Sequence, residues 1–240
     1  MSTRAPFCLA LLGGSFDPVH HGHVALAELF ARTLHPDELR IMPAGQPWQK
    51  AGLQAGDAER IAMLELALGA GTFPSGVKVA IDTREIDRKT PTYTVETLRE
   101  LRAELGPDAS IVFVMGADQL QKLDTWRDWQ SLFELTNFAV AARPGYSLDN
   151  AGLPPAVAAE LARRESTPEQ VRAGPAGRVC LAHTLAVDIS ATEVRAALKN
   201  GAKTDTVNEA HADAKAATKA GACLAPQVLD YIQQHNLYKS

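Results

Sequence analysis

One segment near the N-terminus constrains the fold more strongly than the rest of the chain. The apolar run Phe7–Leu12 has the length and composition of a buried strand, and Gly13 and Gly14 follow it directly. From Gly22 onward, apolar residues recur at helical spacing. The order strand, glycine turn, helix is typical of the ligand-binding edge of an open parallel sheet. There, helix N-termini attract anions, and glycines let phosphate oxygens approach the backbone.

Two histidines in this segment indicate which anion chemistry it favours. His20 and His23 lie three residues apart across the predicted start of the helix, so both rings can face one side. Such a pair can donate hydrogen bonds to phosphate oxygens that gain charge in a transition state. Two other interpretations stay open from the spacing alone. In the first, the histidines cap the turn or lie on the surface. In the second, they bind a metal, although no nearby Cys, Asp or Glu completes a ligand set.

Two motifs far apart in the chain resemble those of one enzyme family. Gly13–His23 is similar to the signature of the HxGH nucleotidyltransferases, and Ile189–Arg195 is similar to their distal IS-x-T-x-x-R motif. Both occur in the family's order, which makes coincidence a poor explanation. Further pieces resemble the members of the family that act on a pyridine mononucleotide, and these pieces are residues 91–94, 116–118, 126–129, 143–145 and 231–238.

The resemblance implies adenylyl transfer from ATP to nicotinate mononucleotide, which forms nicotinate adenine dinucleotide and pyrophosphate in NAD biosynthesis. The implied cofactor is Mg²⁺, which would bridge phosphate oxygens and be held mainly by the nucleotide and water. Other interpretations stay open: an HxGH transferase whose acceptor is nicotinamide mononucleotide or phosphopantetheine, or a non-catalytic sensor that binds ATP. A class I aminoacyl-tRNA synthetase fragment is disfavoured by the acidic charge, the short length and the lack of a KMSKS-like loop.

The residues that the resemblance assigns to catalysis on the triphosphate are His20, His23, Lys50 and Arg195. Lys50 is the only cation of the loop 43–50, and a solvated surface lysine is its simpler interpretation. Trp48 and Gln49 stand where relatives more often have a proline and a histidine. Arg195 follows the distal Ser and Thr by one helical turn, so its planar guanidinium can neutralise the same phosphate.

The residues expected to contact the nucleotides are Gly13, Gly14, Ser15, Phe16, Tyr93, Thr94, Gly116, Asp118, Trp126, Arg143, Ser190 and Thr192. Ser190 and Thr192 can bind phosphate through hydroxyl and backbone N–H groups, or can simply cap a helix. Asp118 follows a predicted strand, and the resemblance assigns it to a ribose, although it can equally cap a short helix. Arg143 can contact a phosphate or a carboxylate, with a surface ion pair as its equal alternative.

Two further features concern the acceptor. Thr92 and Thr94 are both candidate N-caps of a helix predicted to end near Leu105, and by resemblance the backbone donors of this turn hold the pyridine carboxylate. An ordinary capped helix is the alternative. Trp126 and Trp129 lie three residues apart, which predicts one helical face. Such pairs are usually core, but the resemblance stacks Trp126 on the nicotinate ring and packs Trp129 inside.

The net charge and the cysteines limit which binding partners and which cellular compartment are expected. The formal net charge of −4 gives no basic footprint for nucleic acid, so small-molecule substrates are expected. Cys8, Cys180 and Cys223 form no CxxC pattern, which favours a reducing compartment. No membrane span or signal peptide is recognisable, and we therefore expect a soluble cytoplasmic protein. The oligomeric state stays open, with a homo-oligomer as one alternative.

The alternation of predicted strands and helices favours a parallel sheet covered on both faces. We predict a Rossmann-like, doubly wound α/β fold with a small helical C-terminal portion, formed as a single nucleotidyltransferase domain by residues 1–240. Residues 200–225, rich in Ala, Lys, Thr and Asp, are expected to form a solvated insertion. The central expectation is spatial, because His23 and Arg195 must meet over a single triphosphate.

Overall fold

Six parallel strands form the central sheet in a computed structural model, which describes residues 6–46, 52–88, 90–142, 152–182, 189–202 and 222–239. The strands are β1 (Cys8–Gly14), β2 (Glu38–Pro43), β3 (Lys78–Ile81), β4 (Ser110–Gly116), β5 (Asn137–Ala141) and β6 (Val179–Ala182). Their spatial order is β3-β2-β1-β4-β5-β6. The order reverses between β1 and β4, which is the switch point of a doubly wound sheet. The predicted α/β, Rossmann-like class is therefore confirmed.

Helices connect the strands and cover the sheet. They are α1 (His21–Leu34), α2 (Asp57–Gly69), α3 (Arg84–Asp87), α4 (Thr94–Leu105), α5 (Ala117–Leu120), α6 (Leu132–Leu135), α7 (Pro155–Arg164), α8 (Pro168–Ala173), α9 (Ala191–Ala202) and α10 (Pro226–Gln234). Two single 3₁₀ turns, Leu123–Thr125 and Trp129–Ser131, lie between α5 and α6. Within the described ranges, no helix is both long and apolar enough to cross a membrane.

The side chains of β1 divide the core into two layers. Ala10 and Leu12 pack into one cluster with residues of α1, α2 and α10, while Leu9 and Leu11 pack into a second cluster with residues of α4 and α7. This division follows from the strand geometry, since successive side chains point to opposite faces. All four of these residues are buried. A near-continuous apolar run is thus what a central parallel strand requires, because both of its faces are covered.

The helix caps differ from the sequence-based expectation. The sequence favours Asp57 as the N-cap of α2, but Gly56 is the N-cap and Asp57 is the first helical residue. The Asp57 carboxylate pairs instead with the fully buried guanidinium of Arg60 at 2.6 Å. The N-cap of α4 is Tyr93, and its side chain makes no capping hydrogen bond, so neither candidate threonine caps this helix. An ion pair within α2 and an uncapped turn at α4 therefore replace the local caps that the sequence suggests.

The prediction that the two tryptophans share a helical face is wrong. Trp126 directly follows one 3₁₀ turn, and Trp129 begins the next. Between them the chain changes direction at Asp128, which has a left-handed φ of 52°. Trp129 packs edge-on against Phe133, with 6.3 Å between ring centroids. Trp126 lines the cavity described below, so the two side chains lie in different environments.

Candidate active site

A cavity of about 450 Å³ opens at the carboxyl ends of β1 and β4, at the switch point of the sheet. Most of the predicted site residues line it, namely Gly13, Gly14, Ser15, His20, His23, Thr94, Gly116, Asp118, Trp126, Ser190, Thr192 and Arg195. They come from the β1–α1 loop, the start of α4, the β4–α5 segment and the start of α9. His23 and Arg195 therefore share one cleft, as the sequence predicts.

The two histidines stand at the start of α1. His20 is the N-cap and His23 lies one turn later, and their rings are stacked with 3.7 Å between centroids. The backbone N–H of His20 donates to Nδ1 of His23 at 3.3 Å. Because Nδ1 accepts a hydrogen bond, the neutral His23 ring carries its proton on Nε2, which makes it a hydrogen-bond donor at that atom. The edge of Phe16 supports the His23 ring, with 4.9 Å between centroids.

Two residues predicted to contact the nucleotides, Phe16 and Tyr93, do not line the cavity among the described residues. Phe16 is buried in the core and does not line the cavity among the described residues. Its ring lies beneath Gly14, where a Cβ would come within 2.9 Å of it, so this position needs a glycine. Tyr93 does not line the cavity either, and the Arg127 guanidinium lies 4.5 Å from its ring centroid. These two aromatic side chains support the walls of the site.

Asp17 joins the β1–α1 loop to two distant parts of the chain. Its buried carboxylate accepts hydrogen bonds from the backbone N–H groups of Gln54 at 2.9 Å and Ala55 at 3.0 Å. It also accepts one from the Tyr238 hydroxyl at 2.7 Å. Burial, reinforced by the Asp17 carboxylate, raises the pKa of the Tyr238 phenol, which keeps the hydroxyl protonated and donating. No local sequence pattern indicates this role for Asp17, although a buried acid between apolar neighbours requires such donors.

Arg195 connects the two sequence motifs. Its Nη1 donates to the backbone carbonyl of Asp17 at 2.6 Å, across 178 residues of chain. Its Nη2 lies 3.4 Å from the Thr192 hydroxyl. Ser190 exchanges hydrogen bonds with Glu193, since the Ser190 hydroxyl donates to the carboxylate at 2.9 Å and accepts from the Glu193 N–H at 3.3 Å. Ser190 thus makes the capping contacts of its simpler interpretation while it lines the cavity.

The opposite wall is formed by β4 and its continuation. Gly116 ends the strand, and a Cβ there would come within 2.6 Å of the Asp118 carboxylate. The Gln119 side chain donates to the other carboxylate oxygen of Asp118 at 2.9 Å. Trp126 stands perpendicular to Phe113, with 6.0 Å between ring centroids. Its indole Nε1 is buried with no hydrogen-bond partner among the described residues.

The cavity lining also includes Glu85 and Lys122, which no sequence motif marks, and Thr92, which the sequence favours only as a helix cap. Glu85 and Thr92 line the cavity next to Thr94, and both are buried. Burial raises the pKa of the Glu85 carboxyl, while hydrogen bonds from the Thr97 and Thr92 hydroxyls partly oppose that shift. Lys122 also lines the cavity and is exposed. Glu85 and Lys122 occur in charged or mixed surroundings in the sequence, so no local pattern marked them.

Some predictions fall outside the described residues. Lys50, Trp48 and Gln49 belong to the gap 47–51, and Arg143 belongs to the gap 143–151. The expected insertion at 200–225 lies mostly outside as well. The described beginning of the Lys50 loop is held by two hydrogen bonds: Ala44 N–H donates to the carbonyl of Gly14 at 2.8 Å, and Thr92 N–H donates to that of Gln46 at 3.2 Å.

Comparisons with known proteins agree with this geometry. Residues 11–197 match the family described as Cytidylyltransferase-like. The chain is 52% identical over 233 residues to a "Probable nicotinate-nucleotide adenylyltransferase" of Herminiimonas arsenicoxydans, with 97% of each chain covered. It is 42% identical to a protein of the same name from Laribacter hongkongensis, over 100% of this chain and 98% of that one.

A solved structure supports the fold independently. The Plasmodium falciparum nicotinic acid mononucleotide adenylyltransferase, complexed with NaAD, superposes with a TM-score of 0.71 at 17% identity, over 96% of this chain and 97% of that one. At this identity the likeness concerns the fold. The family match and the two close relatives carry the assignment: the chain belongs to the cytidylyltransferase-like family and, within it, to the nicotinate-nucleotide adenylyltransferases.

Proposed function

We propose that the chain transfers the adenylyl group of ATP to nicotinate mononucleotide in NAD biosynthesis. The observation that carries this proposal is the single cavity that both sequence motifs line, in a chain whose close relatives are nicotinate-nucleotide adenylyltransferases. An oxygen of the mononucleotide phosphate attacks the α-phosphorus of ATP in line. The bond from that phosphorus to the oxygen bridging to the β-phosphorus breaks, and pyrophosphate leaves. The attacking phosphate is ionised near neutrality, so the protein's task is positioning and charge stabilisation.

The donor half of the cavity, which we define as the β1–α1 loop with the start of α9, is proposed to hold the triphosphate. His20 and His23 would donate hydrogen bonds to phosphate oxygens as charge develops, and Arg195 would neutralise them. Ser15, Ser190 and Thr192, with the N–H groups at the starts of α1 and α9, would complete the cradle. The backbone at Gly13 and Gly14 and, outside the described residues, Lys50 are proposed to contribute as well.

The acceptor half, which we define as the start of α4 with the segment from Gly116 to Trp126, is proposed to hold the mononucleotide. The first turn of α4 presents N–H groups that have no partner within the helix, and the pyridine carboxylate is the anion that would meet them. The Trp126 face would stack on the pyridine ring, and Asp118 would accept from ribose hydroxyls. Arg143 is proposed as a further contact, although it lies outside the described residues.

Mg²⁺ is the proposed cofactor. The donor half offers imidazole, guanidinium, hydroxyl and N–H groups, while the carboxylates that line the cavity, Asp118 and Glu85, belong to other segments. This donor set fits an ion held through phosphate oxygens and water. When bound, it supplies charge neutralisation on the triphosphate. We also propose a cytoplasmic location, supported by the free thiols of Cys8 and Cys180.

A coupled assay of pyrophosphate release tests the proposal. ATP is offered with nicotinate mononucleotide, nicotinamide mononucleotide or phosphopantetheine as the acceptor, with and without a chelator. We expect the acid mononucleotide to be preferred, because the amide lacks the charge that a helix N-terminus favours. Equal efficiency on acid and amide would contradict the placement at α4. A better turnover of phosphopantetheine would reassign the acceptor, and ATP binding without pyrophosphate release would indicate a sensor.

A further inference from the structure

A buried carboxylate packs against the acceptor half, at α4, and has no role in the function proposed above. Glu85 belongs to α3 and lines the cavity, yet its relative exposure is only 6%. The Thr97 hydroxyl donates to its Oε1 at 2.8 Å, and Thr97 itself is fully buried in α4. The Thr92 hydroxyl also hydrogen bonds to this carboxylate and lowers its pKa. Glu85 therefore joins α3 to both sides of the turn at which α4 begins.

Further contacts fix the Thr97 hydroxyl and the backbone of Glu85 in place. Nη1 of Arg88 donates to the Thr97 hydroxyl at 3.1 Å, and its Nη2 pairs with Glu100 at 2.7 Å. The backbone of Glu85 packs closely on the loop that leads to residue 47, since a Cβ on Gly45 would overlap the Glu85 carbonyl oxygen. These contacts hold Glu85 in place, so its hydrogen bonds act on the turn at 92–94.

Direct contact with the acceptor is an unsuitable task for this group. The acceptor mononucleotide carries a phosphate and a carboxylate, and a second carboxylate in a poorly solvated site would repel them. The Thr97 hydroxyl instead donates to Oε1 of Glu85, and the Thr92 hydroxyl also hydrogen bonds to this carboxylate. A buried carboxylate that accepts hydrogen bonds from buried hydroxyl groups fixes those groups in one geometry.

We propose that Glu85 is the positioning residue of the acceptor half. Its carboxylate anchors Thr92 and Thr97, and through them it holds the first-turn N–H groups of α4 where the acceptor carboxylate binds. This inference rests on the proposed function. It predicts that the loss of Glu85 weakens binding of the acceptor and leaves the binding of ATP unchanged, because the donor half is built from other segments.

The test is steady-state kinetics of Glu85→Ala, Glu85→Gln and Thr97→Val, with the KM of each substrate measured separately. We expect Glu85→Ala to raise the KM for nicotinate mononucleotide about tenfold, because two buried hydroxyls lose their acceptor. The KM for ATP should stay within about twofold, and the preference for acid over amide should fall. Glu85→Gln keeps an acceptor oxygen and should stay within about threefold of wild type. Asp87→Asn is the matched control, since this exposed residue on α3 bonds only to Thr83 among the described residues.

The outcomes separate this inference from the proposed function. If the wild-type chain releases no pyrophosphate with nicotinate mononucleotide, the proposed function fails, and the inference fails with it. If wild type turns over and Glu85→Ala keeps its acceptor KM, or changes both KM values alike, only the inference fails. A Glu85→Gln variant as impaired as Glu85→Ala would show that the charge itself is needed, which also overturns it. If Glu85→Ala does not fold, Thr97→Val decides, with a smaller rise in the same KM expected.

Discussion

The two halves of the cavity are held by different kinds of contact. In the donor half, the buried Asp17 carboxylate receives three hydrogen bonds, and the Arg195 guanidinium binds the Asp17 carbonyl at 2.6 Å. In the acceptor half, the segment that carries Trp126 is tied to α4 by the ion pairs Arg127–Glu96 and Arg99–Asp128, whose side chains are 39–58% exposed. Buried, fully paired groups are costly to disturb, whereas exposed ion pairs contribute little.

This difference matches what each half is proposed to do. Charge stabilisation on the triphosphate requires donors that are already in place when the charge develops, and buried hydrogen bonds hold them there. Binding of the acceptor ring requires a wall that admits it, and weakly tied segments allow that adjustment. The comparison predicts that changes in the donor half reduce turnover and stability, while changes in the acceptor half alter the KM of one substrate.

The largest expected effect comes from the donor half. His23→Ala should lower kcat by about 10²–10³, which is the usual result of losing one charge-stabilising donor. The measurement is steady-state turnover with saturating ATP and nicotinate mononucleotide. His21→Ala is the matched control, because His21 lies two residues before His23 on α1 and does not line the cavity among the described residues. Near-normal turnover of His23→Ala would remove His23 from its proposed role.

Asp17→Asn tests whether the donor half depends on its buried carboxylate. The amide nitrogen would face a hydrogen-bond donor, so we expect a loss of about 2–4 kcal/mol in the free energy of unfolding. In a chain of this size that corresponds to a fall in Tm of about 5–10 °C. Tyr238→Phe removes one of the three hydrogen bonds and should cost about 1 kcal/mol. If Asp17→Asn has the same Tm as wild type, the stability of the donor half does not depend on its buried carboxylate, and the two halves do not differ in this respect.

The donor half was largely predictable from the sequence, for a physical reason. His20 and His23 lie within one short segment whose local order, strand then glycines then helix, places them at a sheet edge. The distal motif around Arg195 is equally local, and only its approach to Asp17 required the folded chain. What the sequence could not show is that Tyr238, 221 residues away, completes the Asp17 site.

The acceptor half was harder to predict because its contacts are tertiary. Glu85 lies in a charged run that is typical of a solvated surface, yet α4 buries it through Thr97. The spacing of Trp126 and Trp129 indicates a helix, but the turn at Asp128 separates them. Periodicity reports local structure, and it contains no information on which distant element will cover a residue.

Arg127→Ala sharpens the comparison from the acceptor side. Its guanidinium pairs with Glu96 at 3.2 Å and lies over the Tyr93 ring, so its loss should raise the KM for the mononucleotide about two- to threefold. The KM for ATP should not change. Salt of about 0.5 M should bring wild type close to the variant, because exposed pairs are screened. Arg163→Ala, which breaks an exposed pair with Glu160 on α7, is the control. A change in the KM for ATP, or a rise above about tenfold in the KM for the mononucleotide, would mean that more than an exposed ion pair holds this wall.

The smallest expected effect concerns Glu85, the buried acid that packs against the acceptor half. Burial raises the pKa of the Glu85 carboxyl above its ordinary 4.5, so folding favours the protonated form. That contribution to stability is present below the unfolded pKa and is lost as the pH rises through the folded pKa. Glutamine does not titrate, and the Tm of Glu85→Gln minus that of wild type should therefore rise as the pH increases above about 4.5. Thermal melts across that range measure it, with Asp87→Asn as the exposed reference. A difference that is flat or falls with pH would mean that the carboxylate is as well stabilised as the donor half, and the contrast between the two halves would then rest on the ion pairs alone.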